Sequence, residues 1–426
     1  MYKSILKNKS FLGYWGSTTL MRLASNMLQF ALAIFVLDLT GSALIFSTVL
    51  SAIIFPRIIG TPIAGYLADY KDCLRILKLG ALGLTALMLS FFLIHTLITP
   101  LNISLIYVLV ICLELCETLI SASEMKAVIC IVDENQIAAA SKLSSLDDGI
   151  VEILSPVIAG FAYGLFGIQA VLLATLVSEL VAFLLTLMLR DRAKNMTENP
   201  GVMNKQSLFH EAMTSYKEAI VSLQEYNYVL GVILFAPLFN FFVSPLFSVT
   251  VPHFIRITTK SSIEIYTAYN LALGIASVVA PFIAMWLIRD KAEHKANLRG
   301  TIIYAFLMLI LSFVTQSFSS IQPATLLSII VGAMVLAVII ITLMSIATTI
   351  TVKTSIPEQV LGRIASIIQL CAIVSTPLGQ LLYGYFADRF PIFLSFACSS
   401  LGLLATYVIM KKTYKKLKRE KQKNGY

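Results

Sequence analysis

The residues best suited to chemistry are charges set inside long apolar runs. Thr18, Arg22, Asn26 and Gln29 follow one another at steps of four, four and three. Glu114, Glu117, Ser121 and Glu124 do so at steps of three, four and three. Such steps place each set on one face of a helix. The flanking sequence is apolar enough to lie in lipid, where ionisable side chains are costly and mark ion or substrate pathways. One stripe is basic and the other acidic, and charges at membrane depth pair with one another. Arg22 is expected to pair with Glu114 or Glu117, and one of the two carboxylates to exchange a proton. A carboxylate's balance between charged and neutral forms depends on its burial and on a nearby arginine, so a substrate that disturbs the pair moves the proton. Arg57, Asp147, Asp148, Glu152 and Glu179 are further charges in or near apolar runs, and structural pairing accounts for each as well as transport does. Glu124, beside Lys126, reads as a charge near a membrane surface.

The second half of the chain has no ionisable residue in mid-run. It offers Asn240, Ser244 and Ser248 on one helical face, and Thr342, Ser345 and Thr349 on another, with Phe235, Phe239, Phe242 and Phe247 nearby. An apolar wall with a few hydrogen-bonding groups suits a small amphiphilic ligand. Asn26, Gln29, Asn240, Ser244, Thr342 and Ser345 are therefore the expected polar lining of a substrate cavity.

These stripes need helices that cross a membrane. The chain has 426 residues, 58% hydrophobic and 13% charged, where a soluble domain carries about a quarter charged residues. It cannot cover itself in water. Runs of 18 or more apolar residues recur at 11–37, 43–68, 76–97, 102–130, 144–166, 168–189, 226–252, 262–288, 300–318, 323–352, 364–386 and 391–410. That pattern predicts an all-α membrane protein of twelve transmembrane helices. The basic N-terminus before the first run is read as the start of a membrane helix rather than a signal peptide, because no small-residue cleavage site follows. With both termini cytoplasmic, 27 of the 32 Lys and Arg lie in or beside cytoplasmic segments, as the positive-inside rule requires. The net charge of +9 then reflects anionic lipid rather than nucleic acid.

The longest connection divides the chain into a six-helix bundle over 1–190, a linker over 191–225, a second bundle over 226–411 and a basic tail over 412–426. Within the linker, Leu208, Met213, Tyr216, Ile220 and Leu223 recur at the spacing of an amphipathic helix on the inner membrane surface. The six cysteines include no CxxC pair and read as packing residues. No metal site or cofactor is expected, and the chain is expected to act as a monomer among lipids.

Two apolar runs are joined by a short charged turn, Gly65-Tyr66-Leu67-Ala68-Asp69-Tyr70-Lys71-Asp72-Cys73-Leu74-Arg75. The halves repeat in parallel about 220 residues apart: Asp133-Glu134 with Ser155-Pro156 answers Pro357-Glu358 with Thr376-Pro377, and Pro62 answers Pro281. Parallel six-helix repeats are one recurring transporter plan.

The turn, together with Leu37-Asp38-Leu39-Thr40-Gly41-Ser42-Ala43, Pro357-Glu358-x-x-Leu361-Gly362-Arg363-Ile364 and Gly384-Tyr385-Phe386-Ala387-Asp388, resembles the major facilitator superfamily. It is most similar to the drug-efflux branch that includes macrolide-efflux proteins and siderophore exporters. The resemblance implies the major facilitator fold and a carrier that rocks between two facings. It implies gating by Gly65, Asp69, Asp72, Arg75 and Arg363, with Asp69 set against the positive end of the helix that begins near Ile364. Ser155, Pro156 and Gly160 stand where family antiporters have a glycine-rich packing seam, and Ser155 and Ala159 depart from that pattern. Glu114 falls where efflux relatives often have arginine, so the charge is inverted here. The function implied is proton-coupled efflux of amphiphilic molecules, such as a macrolide-like drug, a siderophore or a peptide product, across a bacterial plasma membrane. The alternative is a permease or lysolipid flippase of the same fold. An enzyme is not expected: Asp147-Asp148 lacks a second acid pair, and no GxxxxGK[ST] phosphate loop is present.

Overall fold

The structure, a computed structural model, describes residues 5, 8–70, 72–98, 100–132, 134–189, 227–287, 293–317, 321–355 and 358–423. Helix α1 spans Lys9–Thr40. Asn8 caps it by accepting hydrogen bonds from the Ser10 and Phe11 amides, and Gly41, at φ 63°, closes its far end by donating to the Leu37 carbonyl. Span two is not one helix. It is α2 (Ala43–Ala52) followed by α3 (Ile54–Tyr70), with a break at Ile53. Helix α4 (Cys73–Leu93) is capped by Asp72 and ends in a wide π-type turn at Ile94–Ile98. Helix α5 covers Ile103–Ile131, with Asn102 as its cap. Helix α6 (Glu134–Thr186) holds both the fifth and the sixth expected spans, joined at Gly167.

In the second half, α7 (Asn227–Pro245) continues through two wide turns to Thr258. It is followed by α8 (Ile263–Leu287), α9 (Glu293–Gln316), α10 (Pro323–Ser355), α11 (Glu358–Arg389) and α12 (Ile392–Lys423). The eleventh expected span lies within α11. Among the described residues there is no strand, and ten helical stretches are long and apolar enough to cross a membrane. Large apolar side chains such as Leu97, Phe282 and Phe313 stand mostly exposed, an arrangement suited to hydrocarbon rather than water. The linker, its expected amphipathic helix and the last three residues of the tail lie outside the described residues.

The chain forms two compact units. One comprises Met1–Gly41, Ala52–Gly201 and Ser262–Leu271, and the other Ser42–Ser51, Val202–Ser261 and Ala272–Tyr426. Each unit thus takes in a short segment from the opposite half of the sequence: the first includes the start of α8, the second includes α2.

Within the first unit, small residues let helix backbones close on one another. Gly13 of α1 lies against Leu185 and Met188, Gly60 of α3 against Thr118, and Gly80 of α4 against Ile120. Helices α1 and α5 run antiparallel: Asn8 donates to the Ile131 carbonyl at 3.2 Å, the Tyr14 hydroxyl to the Glu124 carbonyl at 3.2 Å, and Ser25 to Glu117. In the second unit, hydroxyl groups bridge to carbonyls of neighbouring helices. Ser400 donates to the Ala305 carbonyl at 2.8 Å, Ser312 to that of Phe393 at 2.9 Å, and Tyr383 to that of Phe242 at 3.2 Å.

The joint inside α6 depends on one residue. Gly167 has φ 74° and ψ −172°, a conformation essentially reserved to glycine. Gly167→Ala is expected to cost about 1–3 kcal/mol, and thermal unfolding of the purified protein in detergent should show a lowered midpoint.

Candidate functional site

The site in the first unit is built by the close contact of α3 with α5. Gly60 has no side chain, so Thr118 packs directly onto the α3 backbone. One turn before each of these residues stand Arg57 and Glu114, and the same approach brings them together: Arg57 Nε lies 2.6 Å from Glu114 Oε1. The Glu114 side chain is 2% exposed and that of Arg57 is 50% exposed. Glu114 Oε2 has no hydrogen-bond partner among the described residues. One turn further along α5, the Glu117 carboxylate accepts the Ser25 hydroxyl from α1. The Gln29 amide approaches Ser25 Oγ at 3.4 Å. Three helices therefore converge on two carboxylates, one guanidinium and a short polar chain.

This geometry corrects the expected pairing. Neither Glu114 nor Glu117 bonds to Arg22; Glu114 is held by Arg57 and Glu117 by Ser25. Spacing along a helix states which residues share a face, but not which neighbouring helix that face meets. Glu114 meets α3, and the residue of α1 that reaches Glu117 is Ser25. Arg22 Nε instead points along its own helix toward the Thr18 carbonyl at 3.4 Å. Ser25 was legible in principle, because Thr18, Arg22, Ser25 and Gln29 follow at four, three and four. Asn26, chosen in its place, is exposed.

Other charges of this unit occupy separate positions. The Thr19 hydroxyl donates to buried Asp147 Oδ2 at 2.5 Å, tying α1 to α6. Glu179 is 2% exposed, and its Oε2 has no partner among the described residues. The side chains of Asp148 and Glu152 lie outside the described residues. Ser155 bonds back to the Val151 carbonyl at 2.6 Å, Pro156 lies inside α6, and Gly160 is packed against Thr267 of α8 with no room for a methyl group.

Polar candidates of the second unit are held mostly within their own helices. Asn240 donates to the Ala236 carbonyl at 2.9 Å and Thr342 to that of Val338 at 2.9 Å. The Ser244 carbonyl accepts the Ser248 hydroxyl at 3.1 Å, Gln380 reaches Ser248 Oγ at 3.2 Å, and Ser345 is exposed. Phe235 and Phe239 have ring centres 5.3 Å apart, and Phe239 meets Tyr304 edge-on at 6.0 Å. In the charged turn, Asp72 Oδ1 accepts from the Leu74 and Arg75 amides at 2.9 and 3.2 Å, so its carboxylate starts α4, and Arg75 is exposed. Gly65 and Asp69 fall on α3 and Arg363 on α11, with side chains outside the described residues.

The sequence profile of the Major Facilitator Superfamily matches residues 14–379. The chain belongs to the Major Facilitator Superfamily. Solved structures of superfamily-type transporters share its fold over almost their full length. A bacterial homologue of the iron transporter ferroportin, in an inward-facing state, is 14% identical, with a TM-score of 0.67 over 96% of this chain and 98% of that one. A D-xylose-proton symporter is 12% identical, with a TM-score of 0.67 over 96% and 97%. The POT family transporter PepTSo is 10% identical, with a TM-score of 0.69 over 97% and 99%. At these identities the likeness is one of fold, and this superfamily member's function must be argued from its own residues. No curated protein matches the chain in sequence.

The Arg57–Glu114 pair can be tested by itself. Removing one partner of a buried pair strands the other's charge. Arg57→Met should therefore lower resistance to unfolding in detergent, and adding Glu114→Gln should restore most of the loss. A coupling of roughly 0.5–3 kcal/mol between the two substitutions is expected in a double-mutant cycle.

Proposed function

We propose that this superfamily member is a proton-coupled exporter of small amphiphilic molecules, working by alternating access across twelve spans with both termini in the cytoplasm. The observation that carries the reading is the arrangement of Glu114 and Glu117 on adjacent turns of α5. Glu114 pairs with the Arg57 guanidinium, while Glu117 is held by the Ser25 hydroxyl and has no ion pair among the described residues. Two negative charges against one positive leave an unmatched charge at membrane depth, which is costly in hydrocarbon. A proton cancels it. Glu114, fixed by Arg57, holds the permanent charge. Glu117, held only by the Ser25 hydroxyl, is the carboxylate that takes up and releases the proton.

Ser25 links this exchange to Gln29, one of the expected substrate-binding residues. Its hydroxyl serves Glu117 and its oxygen faces Gln29, so a ligand that recruits Gln29 alters the support of Glu117. The aromatic rings of α7 supply apolar area for a large amphiphile of the kind exported by the drug-efflux branch, such as a macrolide-like compound, a siderophore or a peptide product. The charged turn from Gly65 to Arg75 has a separate role as the gate that biases which way the carrier faces.

The reading is checked by efflux of several amphiphiles from energised vesicles, with and without an uncoupler. Glu117→Gln should reduce proton-driven efflux to the level seen with uncoupler, while Glu114→Gln should also weaken the protein's stability. Full proton-driven efflux by both variants would refute the coupling site. Movement only into cells would favour a permease, and headgroup-dependent lipid transfer a flippase. Asp69→Ala should slow net efflux while leaving the binding of substrate intact; unchanged efflux would remove the gate.

A further inference from the structure

The N-terminus of α2 is capped by a residue from the far end of the sequence. Asp388, in the last turn of α11, lies against the first turn of α2. Its Oδ2 accepts the Ser42 hydroxyl at 2.6 Å and the Leu44 amide at 3.1 Å, and its Oδ1 accepts the Ala43 amide at 2.6 Å. Ser42 completes the cap from within: its Oγ accepts the Ile45 amide at 3.2 Å and its carbonyl the Phe46 amide at 3.1 Å. The first three amides of α2, which have no partners inside the helix, are thereby satisfied by side chains. The negative charge sits at the positive end of the α2 dipole.

One turn back along α11, Gly384 lies against the Ala43 carbonyl and Ser47 with no room for a methyl group. His253 Nε2 lies 3.8 Å from Asp388 Oδ1, and the two side chains are 10% and 20% exposed. The contact is therefore at the edge of the second unit, within reach of water.

The position of α2 in the chain gives this cap its meaning. Helix α3 continues the same apolar run after the break at Ile53, but its contacts are in the first unit, through Arg57 to Glu114 and Gly60 to Thr118. The two parts of span two thus belong to different units. A reciprocal segment exists in α8. Its first residues belong to the first unit, where Thr267 meets Gly160, Ile263 meets Gly164, and Tyr266 stacks on Phe30 with ring centres 5.3 Å apart. The α8 contact includes small-residue and aromatic packing. The α2 contact is built on the Asp388 carboxylate.

We propose that Asp388 is a positioning residue for transport: it is a releasable latch that docks α2 on α11 in one facing of the carrier and lets go in the other. This rests on the alternating-access reading. Hydrogen bonds from a carboxylate to a helix start form and break without repacking a core, whereas the Gly384–Ser47 contact below them only guides α2 into place. Loss of the latch favours the facing in which α2 and α11 part at the end that the expected topology puts outside the cell.

The test uses the full-length protein in lipid nanodiscs, with the native cysteines replaced and spin labels at Leu44→Cys and Phe390→Cys, two exposed positions of the second unit beside the latch. Distance distributions are recorded for Asp388 and for its Asn, Ala and Glu variants, and for Asp69→Ala as a gate control. The expected result is a graded, several-fold loss of the short-distance population, larger for Asp388→Ala than for Asp388→Asn. The amide keeps hydrogen-bonding capacity without the charge, so the difference between these variants reads the charge itself. Asp388→Glu should restore the short population, which a merely structural fault would not allow. Distances that move with Asp69→Ala but with none of the Asp388 variants would overturn the latch and leave alternation standing. A single distance unmoved by every variant and by pH would overturn alternation and the latch with it.

Discussion

The structure depends on a rule of lipid solvents: a charge or a backbone polar group removed from water must find its partner inside the protein. The Arg57–Glu114 pair shows the rule at work on side chains. Its formation requires α3 and α5 to approach within the reach of a glycine, while one turn along α5 Glu117 meets Ser25 of α1. Packing and charge matching are here one constraint, because the glycine that closes the helices also determines which cation the carboxylate meets. Glu117, beside this pair and held by a hydroxyl, is the carboxylate on which the proposed coupling rests.

Helix starts obey the same rule by different means. Asn8, Asp72 and Asn102 satisfy the first amides of α1, α4 and α5 locally. Helix α2 caps its Ile45 amide with Ser42 and draws the acceptor for its Ala43 and Leu44 amides from Asp388. Local caps stabilise a helix wherever it goes. A cap supplied by another part of the chain fixes where the helix must be.

Much of the architecture was legible in the sequence because hydropathy in lipid is a strong signal. Apolar runs and their turns follow from it directly, and the helical class with its superfamily membership agrees with that reading. The break at Ile53 carries no such mark: Ala52-Ile53-Ile54 is as apolar as its flanks. The candidate site was only half legible. Glu114 and Glu117 stand out as acids in an apolar run, but the choice between Arg22 and Arg57 as their partner depends on which helices are neighbours, and periodicity does not encode that. Likewise Leu37–Ala43 and Gly384–Asp388 were each conspicuous as motifs, while their meeting across the fold is a matter of three-dimensional packing.

The distant cap on α2 also bears on how the chain is made. Asp388 is translated 346 positions after Ser42. At the roughly 5–20 residues per second of synthesis, about 17–70 s separate the insertion of α2 from the arrival of the carboxylate that completes its first turn. During that interval Ser42 serves Ile45 and Phe46, and the Ala43 and Leu44 amides must borrow water or headgroups. The packing of α2 is therefore complete only once α11 has been made. The early helices wait in the membrane as an incomplete assembly, and the eleventh element to emerge closes a turn left open by the second.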